Sequence, residues 1–190
     1  MDLNEFEKQD YSNKDFSNEE LKSMDYSCCT FNFCNFTNTN LVGTSFSECR
    51  FNNCNFSNTK INGCKFYDVI FKECKFMGVD FKMINTFILS FGFDKCIIDT
   101  CSFSDMKLEN TEFLGCTVKN CFFMKTNLSK SKFNNSNLEK SEFLNCNMFE
   151  SDFRNAINYS INPEKNKLKK TKFSSSEVLS LLKYQDIIIE

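Results

Sequence analysis

A period of five runs through most of this chain. Large apolar side chains fall at every fifth position from Phe6 to Phe81 and, after a slip of two residues, again from Ile88 to Phe153. An amphipathic helix repeats about every 3.6 residues and a half-buried strand every 2. Neither can hold such a stripe on one side. A short fixed repeat calls instead for a solenoid, whose units are too small to bury their own apolar side chains and gain a core only by stacking on neighbours.

The residue two places before each large one is small, mostly Cys, Thr, Ser, Val or Ala. The large and small slots therefore point inward, and the other three positions of each five, rich in Asn, Ser, Lys, Glu, Asp and Thr, point out. A longer period of twenty lies on top. Aliphatic centres recur at Leu21, Leu41 and Ile61 and at Leu108, Leu128 and Met148, and cysteines at Cys34, Cys54 and Cys74. Like recurs on like when residues twenty apart are neighbours, and twenty is four repeats. The predicted fold class is an all-β solenoid with four sides per coil, each coil lying about 4.8 Å above the last. Its core ladder comprises Phe31, Phe51, Phe71, Phe113, Phe133 and Phe153, with Cys34, Cys54 and Cys74 in small slots. Cysteine reads there as a small, buryable side chain. A serine in its place is expected to bury a hydroxyl without an assured partner.

Two parts follow from the pattern: a repeat region over 1–158 and a C-terminal segment over 159–190. Residues 1–25 carry Asn4, Gln9, Lys14 and Glu19 in the small slots, which predicts a looser coil covering the first regular one. The slip predicts a bulge or widened coil over 82–92, with Phe91 in a small slot. Ile84, Phe87 and Leu89 in this stretch are a candidate partner patch, and filling of a widened coil is the competing reading. Past Ala156 the repeat ends. Pro163 marks a turn, residues 168–173 alternate as a last strand, and Ser174 with Glu177 reads as a capping box opening a short helix that lids the coil. Leu179, Leu182, Ile187, Ile188 and Ile189 then leave more apolar surface than a monomer usually exposes. They are the candidate homodimer interface.

Composition narrows the chemistry. The chain has no histidine, and its carboxylates occupy outward slots of a filled rod, so an enzyme is not expected and no small-molecule substrate or cofactor is implied. Of its 12 cysteines, most are spaced by multiples of five along inward faces, unlike the C-x₂₋₄-C spacing of zinc sites, and no metal is expected. Free thiols suit a reducing compartment. The opening MDLNEFEKQD has no basic n-region or apolar h-region, so a cytoplasmic location is expected. No apolar run is long enough to span a membrane. Residues 1–25 carry eight acids and three bases (net −5), residues 26–158 net +1 and residues 159–190 net +2. The lysine run Lys165, Lys167, Lys169, Lys170 and Lys172 reads as a protected edge strand, and direct nucleic-acid binding is not expected.

TNTNL (37–41), CNF (34–36 and 54–56), SKF (131–133) and SDF (151–153) resemble the consensus of the pentapeptide repeat family: a small residue, Asn or Asp, Leu or Phe, then two polar residues. The resemblance covers roughly residues 4–158 and implies a right-handed quadrilateral β-helix. More narrowly, two repeat blocks, a short interruption, an N-P turn, a terminal strand, a capping helix and an apolar tail are similar to the Qnr group of quinolone-resistance proteins. That similarity implies a C-terminal homodimer that binds DNA gyrase or topoisomerase IV and protects it from fluoroquinolones, in one account by imitating DNA. The alternative is a structural or protein-interaction module with another partner, such as immunity against a toxin peptide. A contiguous acidic face along the rod would favour DNA imitation.

Overall fold

In the computed structural model, residues 4–87, 89–185 and 187 are described. The chain winds as a quadrilateral parallel β-helix of about eight coils. Within each repeat block residues pair in parallel with those twenty further on: Phe6 with Tyr26, Tyr26 with Phe46, Phe31 with Phe51, Phe113 with Phe133 by way of Glu112–Lys132; past the blocks the offset shortens to 18 at Phe143↔Ile161. Most sides are either three-residue strands, such as Thr30–Asn32 and Arg50–Asn52, or single bridges followed by a turn, such as Asn35↔Asn55, with longer strands at Lys65–Lys72 and Leu89–Asp94 beside the interruption.

The corners have a single backbone solution. The residue two places after each large one has a positive φ without a break from Lys8 to Gly78 and again from Lys95 to Asn155. A left-handed residue bends the chain sharply between flanking extended residues, and Asn and Gly adopt that conformation most readily. Many corners are accordingly Asn (Asn13, Asn18, Asn38, Asn53, Asn58) or Gly (Gly43, Gly63, Gly78). The corner N–H donates to the coil above, as Lys8 does to Ser27 O (2.9 Å) and Asn53 to Lys72 O (2.9 Å).

Inside, the rings stack in columns. One runs the length of the rod from Tyr11 to Phe173, with centroids 4.8 Å apart for Tyr11–Phe31, 4.6 Å for Phe31–Phe51, 5.4 Å across the interruption at Phe71–Phe93, and 4.7 Å for Phe133–Phe153. The other columns change chemistry at the interruption. Below it, the Phe46 and Phe36 sides are aromatic and the Leu41 side is aliphatic. Above it, Phe81, Phe103, Phe123 and Phe143 continue the Leu41 side as rings, and Leu108 and Ile98 replace rings on the two others. Rings and aliphatics trade sides, so the narrow interior stays filled at the density that packing requires.

The small slots do more than make room. Most hydroxyls and thiols there donate to the carbonyl of the large residue 23 positions earlier: Thr39 to Phe16 O (2.7 Å), Cys54 to Phe31 O (3.4 Å), Cys64 to Leu41 O (2.9 Å) and Ser136 to Phe113 O (2.7 Å), while Ser131 and Ser151 turn to the carbonyl three residues earlier. Cysteine is therefore a small donor, not merely a small apolar filler. Serine at such a slot has the partner that the sequence alone did not reveal.

Three expectations are corrected. The first coil is not loose: Glu5–Glu7 and Asp10–Ser12 are strands in full register with the next coil, and Asp15 and Glu20 bridge to Asn35 and Asn40. Inter-coil backbone bonds do not depend on what fills the slots. Gln9, Lys14 and Glu19 are exposed because no coil lies beneath them among the described residues. The C-terminal helix is a 3₁₀ helix, Val178–Tyr184, entered through Glu177 without a side-chain cap. Ser174 does not cap it. Its hydroxyl accepts from Asn155 N–H (2.8 Å) and donates to Asn155 Oδ1 (3.1 Å), closing the last coil. Finally, Ile84 is buried inside the widened coil, not on a patch.

Candidate functional site

The core ladder residues Phe31, Phe51, Phe71, Phe113, Phe133, Phe153, Cys34, Cys54 and Cys74 are all sealed inside the rod. Burial pushes the Cys49 and Cys64 thiols up to about 12 and that of Cys146 up to about 11, so these cysteines are neither nucleophiles nor ready ligands. Among the described residues there is no group of three or more His, Cys, Asp or Glu placed to hold a metal. The chemistry available to this chain is on its surface.

The interruption shapes one part of that surface. Pairing shifts from twenty residues to 22 at Phe71↔Phe93, with an irregularity between Phe66 and Val69. A 3₁₀ turn at Phe81–Met83 begins where Asp80 Oδ1 accepts from Lys82 N–H (3.2 Å). Asn85 then anchors the excess chain: its N–H donates to Cys64 O (2.8 Å), and its Oδ1 accepts from Phe87 N–H (2.9 Å). The result turns Ile84 and Phe91 inward, leaves Leu89 half-buried and puts Phe87 into solvent, 91% exposed. Ile88 lies outside the described residues. Phe87 stands beside Tyr67 over a cleft of about 490 Å³ lined by Ser45, Ser47, Lys65, Tyr67, Asn85 and Phe87. Tyr67 was missed in the sequence, although an aromatic in an outward slot of a repeat otherwise lined with small polar residues was its signal.

The C-terminal cap shapes another. A 3₁₀ helix has three residues per turn, so Val178, Leu181 and Tyr184 share one line and Leu179 and Leu182 another. Leu181 packs on the core, and the helix is tied to the last coil by Lys183 Nζ donating to Ser160 Oγ (2.7 Å) and by a Ser160–Tyr184 hydroxyl bond. Leu179 and Ile187 are more than half exposed and Leu182 over a third. Ile188 and Ile189, the rest of the expected dimer face, lie outside the described residues.

Charge does not form a stripe. On the Phe46 side the first four coils show Glu5, Glu7, Asp25, Glu48 and Asp68 with Lys8 and Lys65 among them, and Lys107, Lys130 and Lys167 follow on the same side. Acid also pairs with base one coil away, as in Lys132–Glu112 (2.7 Å), Lys119–Glu139 (2.6 Å) and Lys170–Glu150 (3.3 Å). Arg154 lies along the Asp152 carboxylate and holds that carboxyl down at about 2.

A family model described as "Pentapeptide repeat region" matches residues 96–173, and one described as "Pentapeptide repeats (8 copies)" matches residues 29–68, together more than half of the sequence. The chain belongs to the pentapeptide repeat family. This pentapeptide repeat protein is similar in fold to a trypsin-treated variant of QnrB1, a plasmid-mediated fluoroquinolone resistance protein, with a TM-score of 0.68 at 19% identity over 98% of this chain and 91% of that one. Full-length QnrB1 matches with a TM-score of 0.53 at 17% identity, over 96% and 90%. HetL, involved in heterocyst differentiation regulation in the cyanobacterium Nostoc sp. strain PCC 7120, matches with a TM-score of 0.44 at 11% identity, over 87% and 85%. No curated protein matches the sequence of this pentapeptide repeat protein.

Proposed function

We propose that this protein is a non-enzymatic binding rod, dimeric through its C-terminal cap, that engages DNA gyrase or topoisomerase IV in the cytoplasm and shields it from fluoroquinolones. The observation that supports this reading is the end-to-end correspondence with QnrB1, which takes in 98% of this chain, cap included. The broken charge pattern speaks against imitation of a DNA backbone, which carries a charge about every 1.7 Å. Contact through apolar groups fits better, with Phe87 and Tyr67 as the anchors, since buried aromatics dominate interface energetics. The same charge pattern favours a second reading, an interaction module for a different protein.

Supercoiling by purified gyrase in the presence of ciprofloxacin separates the two. The topoisomerase reading expects this protein to restore supercoiling. It expects Phe87→Ala to need about tenfold more protein for the same rescue, on the scale of one lost hot-spot residue. Phe87 touches little of the fold, so the variant remains folded. No rescue by the unaltered protein at micromolar concentration removes the topoisomerase from the reading and leaves the interaction module.

A further inference from the structure

The side of the rod that carries Leu41 below the interruption and Phe103, Phe123 and Phe143 above it also changes its outer surface. Its upper coils form a three-stranded parallel sheet of Phe122–Met124, Glu142–Leu144 and Ser160–Ile161. The outward slots of this side are polar in the coil below the sheet, at Ser102 and Ser104, and in its last coil, at Ser160 and Asn162. Between them Phe122 and Met124 flank the buried Phe123 and are both exposed. Leu144 pairs directly with Met124 and is half-buried. The neighbours below are small hydroxyls: Ser102 bridges to Phe122, and Ser104 Oγ accepts from Met124 N–H (3.3 Å). A cleft of about 510 Å³ opens beside Leu144, lined by Lys140, Glu142, Leu144, Ser160, Lys165 and Tyr184. Apolar side chains leading into a cleft with a polar rim have the layout of an interface core.

What this flank accepts is set by charge. Residues 119–185 carry twelve bases and six acids (net +6). Four of these bases have an acid beside them: Lys119 has Glu139, Lys132 has Glu112, Arg154 has Asp152 and Lys170 has Glu150. The lysines around the apolar centre do not. Lys125 and Lys140 stand at the two corners that bound this side. With Lys165 they make no ion pair among the described residues, and Lys183 donates to the Ser160 hydroxyl. Asp105, Glu142 and Glu164 are the acids of the flank, and Glu164 already accepts from Gln185 Nε2 (3.2 Å), so positive charge is in excess. A nucleic acid would use the lysines and leave the apolar centre idle. The same flank of a second copy would bring like charge against like. We propose that this flank docks an acidic segment of a different protein, whose apolar side chains cover Phe122, Met124 and Leu144 and whose carboxylates meet Lys125, Lys140 and Lys165. The site lies on another side of the rod from the Phe87 contact and uses neither Leu179 nor Leu182, so it is independent of the topoisomerase reading and of the dimer.

A synthetic peptide, EELLEELLEELL, provides a probe of the right chemistry. KKLLKKLLKKLL, with the same apolar residues and the opposite charge, and an all-glutamate peptide of equal length are the controls. The reporter is the full-length protein labelled at its methionine ε-methyl groups. Met124 lies in the site, Met77 and Met83 are exposed on coils below it, and Met106 and Met148 are buried in the core. The glutamate–leucine peptide should shift the Met124 methyl resonance, leave Met77 and Met83 in place, and bind more weakly in high salt. Phe122→Ala should weaken binding about tenfold, on the scale of one lost anchor. Lys125→Glu with Lys140→Glu should also weaken it at least about tenfold, since two exposed ion pairs become two repulsions. Unmoved Met106 and Met148 resonances would verify that each variant is folded. Equal binding of either control, shifts that fall on Met77 or Met83 instead, or no shift with the probe would overturn the proposal. So would a Met124 shift of the same size with duplex DNA, which would make a nucleic acid the occupant, or one produced by raising protein concentration alone, which would make it a second copy. A Met124 shift produced by Asp186→Asn with Glu190→Gln, no peptide present, would overturn it in favour of the chain's own tail.

Discussion

At the scale of the residue, the two inward slots have different duties. The large slot supplies area and ring stacking. Phe51 is fully buried between Phe31 and Phe71, with centroids 4.6 and 5.1 Å away, and truncating it leaves a void that rigid coils above and below cannot close. Phe51→Ala should cost about 3–5 kcal/mol in denaturant melts. The small slot supplies a hydrogen bond. Cys54 Sγ reaches Phe31 O, and Ser136 shows that a hydroxyl in an equivalent slot makes the same bond at 2.7 Å. Cys54→Ser should therefore be close to neutral, and Cys54→Ala, which strands the carbonyl, should cost about 1–2 kcal/mol. A serine variant less stable than the alanine variant would show that the slot selects for apolar volume and not for a donor.

At the scale of the element, the corner decides whether a coil can form. Phe33 is the instructive exception: φ is 53°, and its ring is 60% exposed, where Asn13 and Asn53 occupy the corners directly below and above. A bulky residue in the left-handed region is held there by its neighbours at a cost of about 1–2 kcal/mol, and exposure returns nothing for it. Phe33→Asn should raise stability by up to about 1 kcal/mol, and the β-branched Asn53→Val should lower it by about 1–2 kcal/mol. A lower melting temperature for Phe33→Asn would mean that the exposed ring is packed after all.

These corners also mark how far the sequence could be read. The five-residue period made the inward positions of the coil legible, because identical spacing forces identical contacts one coil apart. The recurrent Asn and Gly two places after each large residue were visible and went unread, since the pattern of apolar residues alone says nothing about φ. The interruption was located, yet the burial of Ile84 and exposure of Phe87 depend on Asn85 bonding to Cys64, a contact 21 residues away. The cap was misread for a related reason. Ser174 and Glu177 fit a local capping box, but the hydroxyl finds Asn155 at the closing edge of the coil, and the tertiary bond wins over the local one.

At the scale of the whole molecule, a solenoid is close to one-dimensional, so its ends carry the problem that a globular core solves everywhere at once. The two ends of this rod solve it differently. At the N-terminal end Phe6, Tyr11 and Phe16 stack on the second coil and stay only half-buried among the described residues. At the C-terminal end Phe153, Tyr159 and Phe173 pack together, and the 3₁₀ helix closes over the last coil. That closure leaves the line of Leu179 and Leu182 outside, continued by Ile187. An apolar line at the end of a rod favours a two-fold contact with itself, the commonest solution for a self-complementary patch. The full-length protein should therefore scatter light as a dimer, and Leu179→Glu with Leu182→Glu should give a folded monomer, because neither side chain is needed to seal the core. Truncation after Ser176 should go further: it removes the dimer face and the lid together, and hydrogen exchange should quicken around Tyr159 and Phe173 but not in the coils near Phe51, which have no contact with the cap. A monodisperse full-length monomer would overturn the dimer, and faster exchange throughout the rod would overturn the one-dimensional account of its stability.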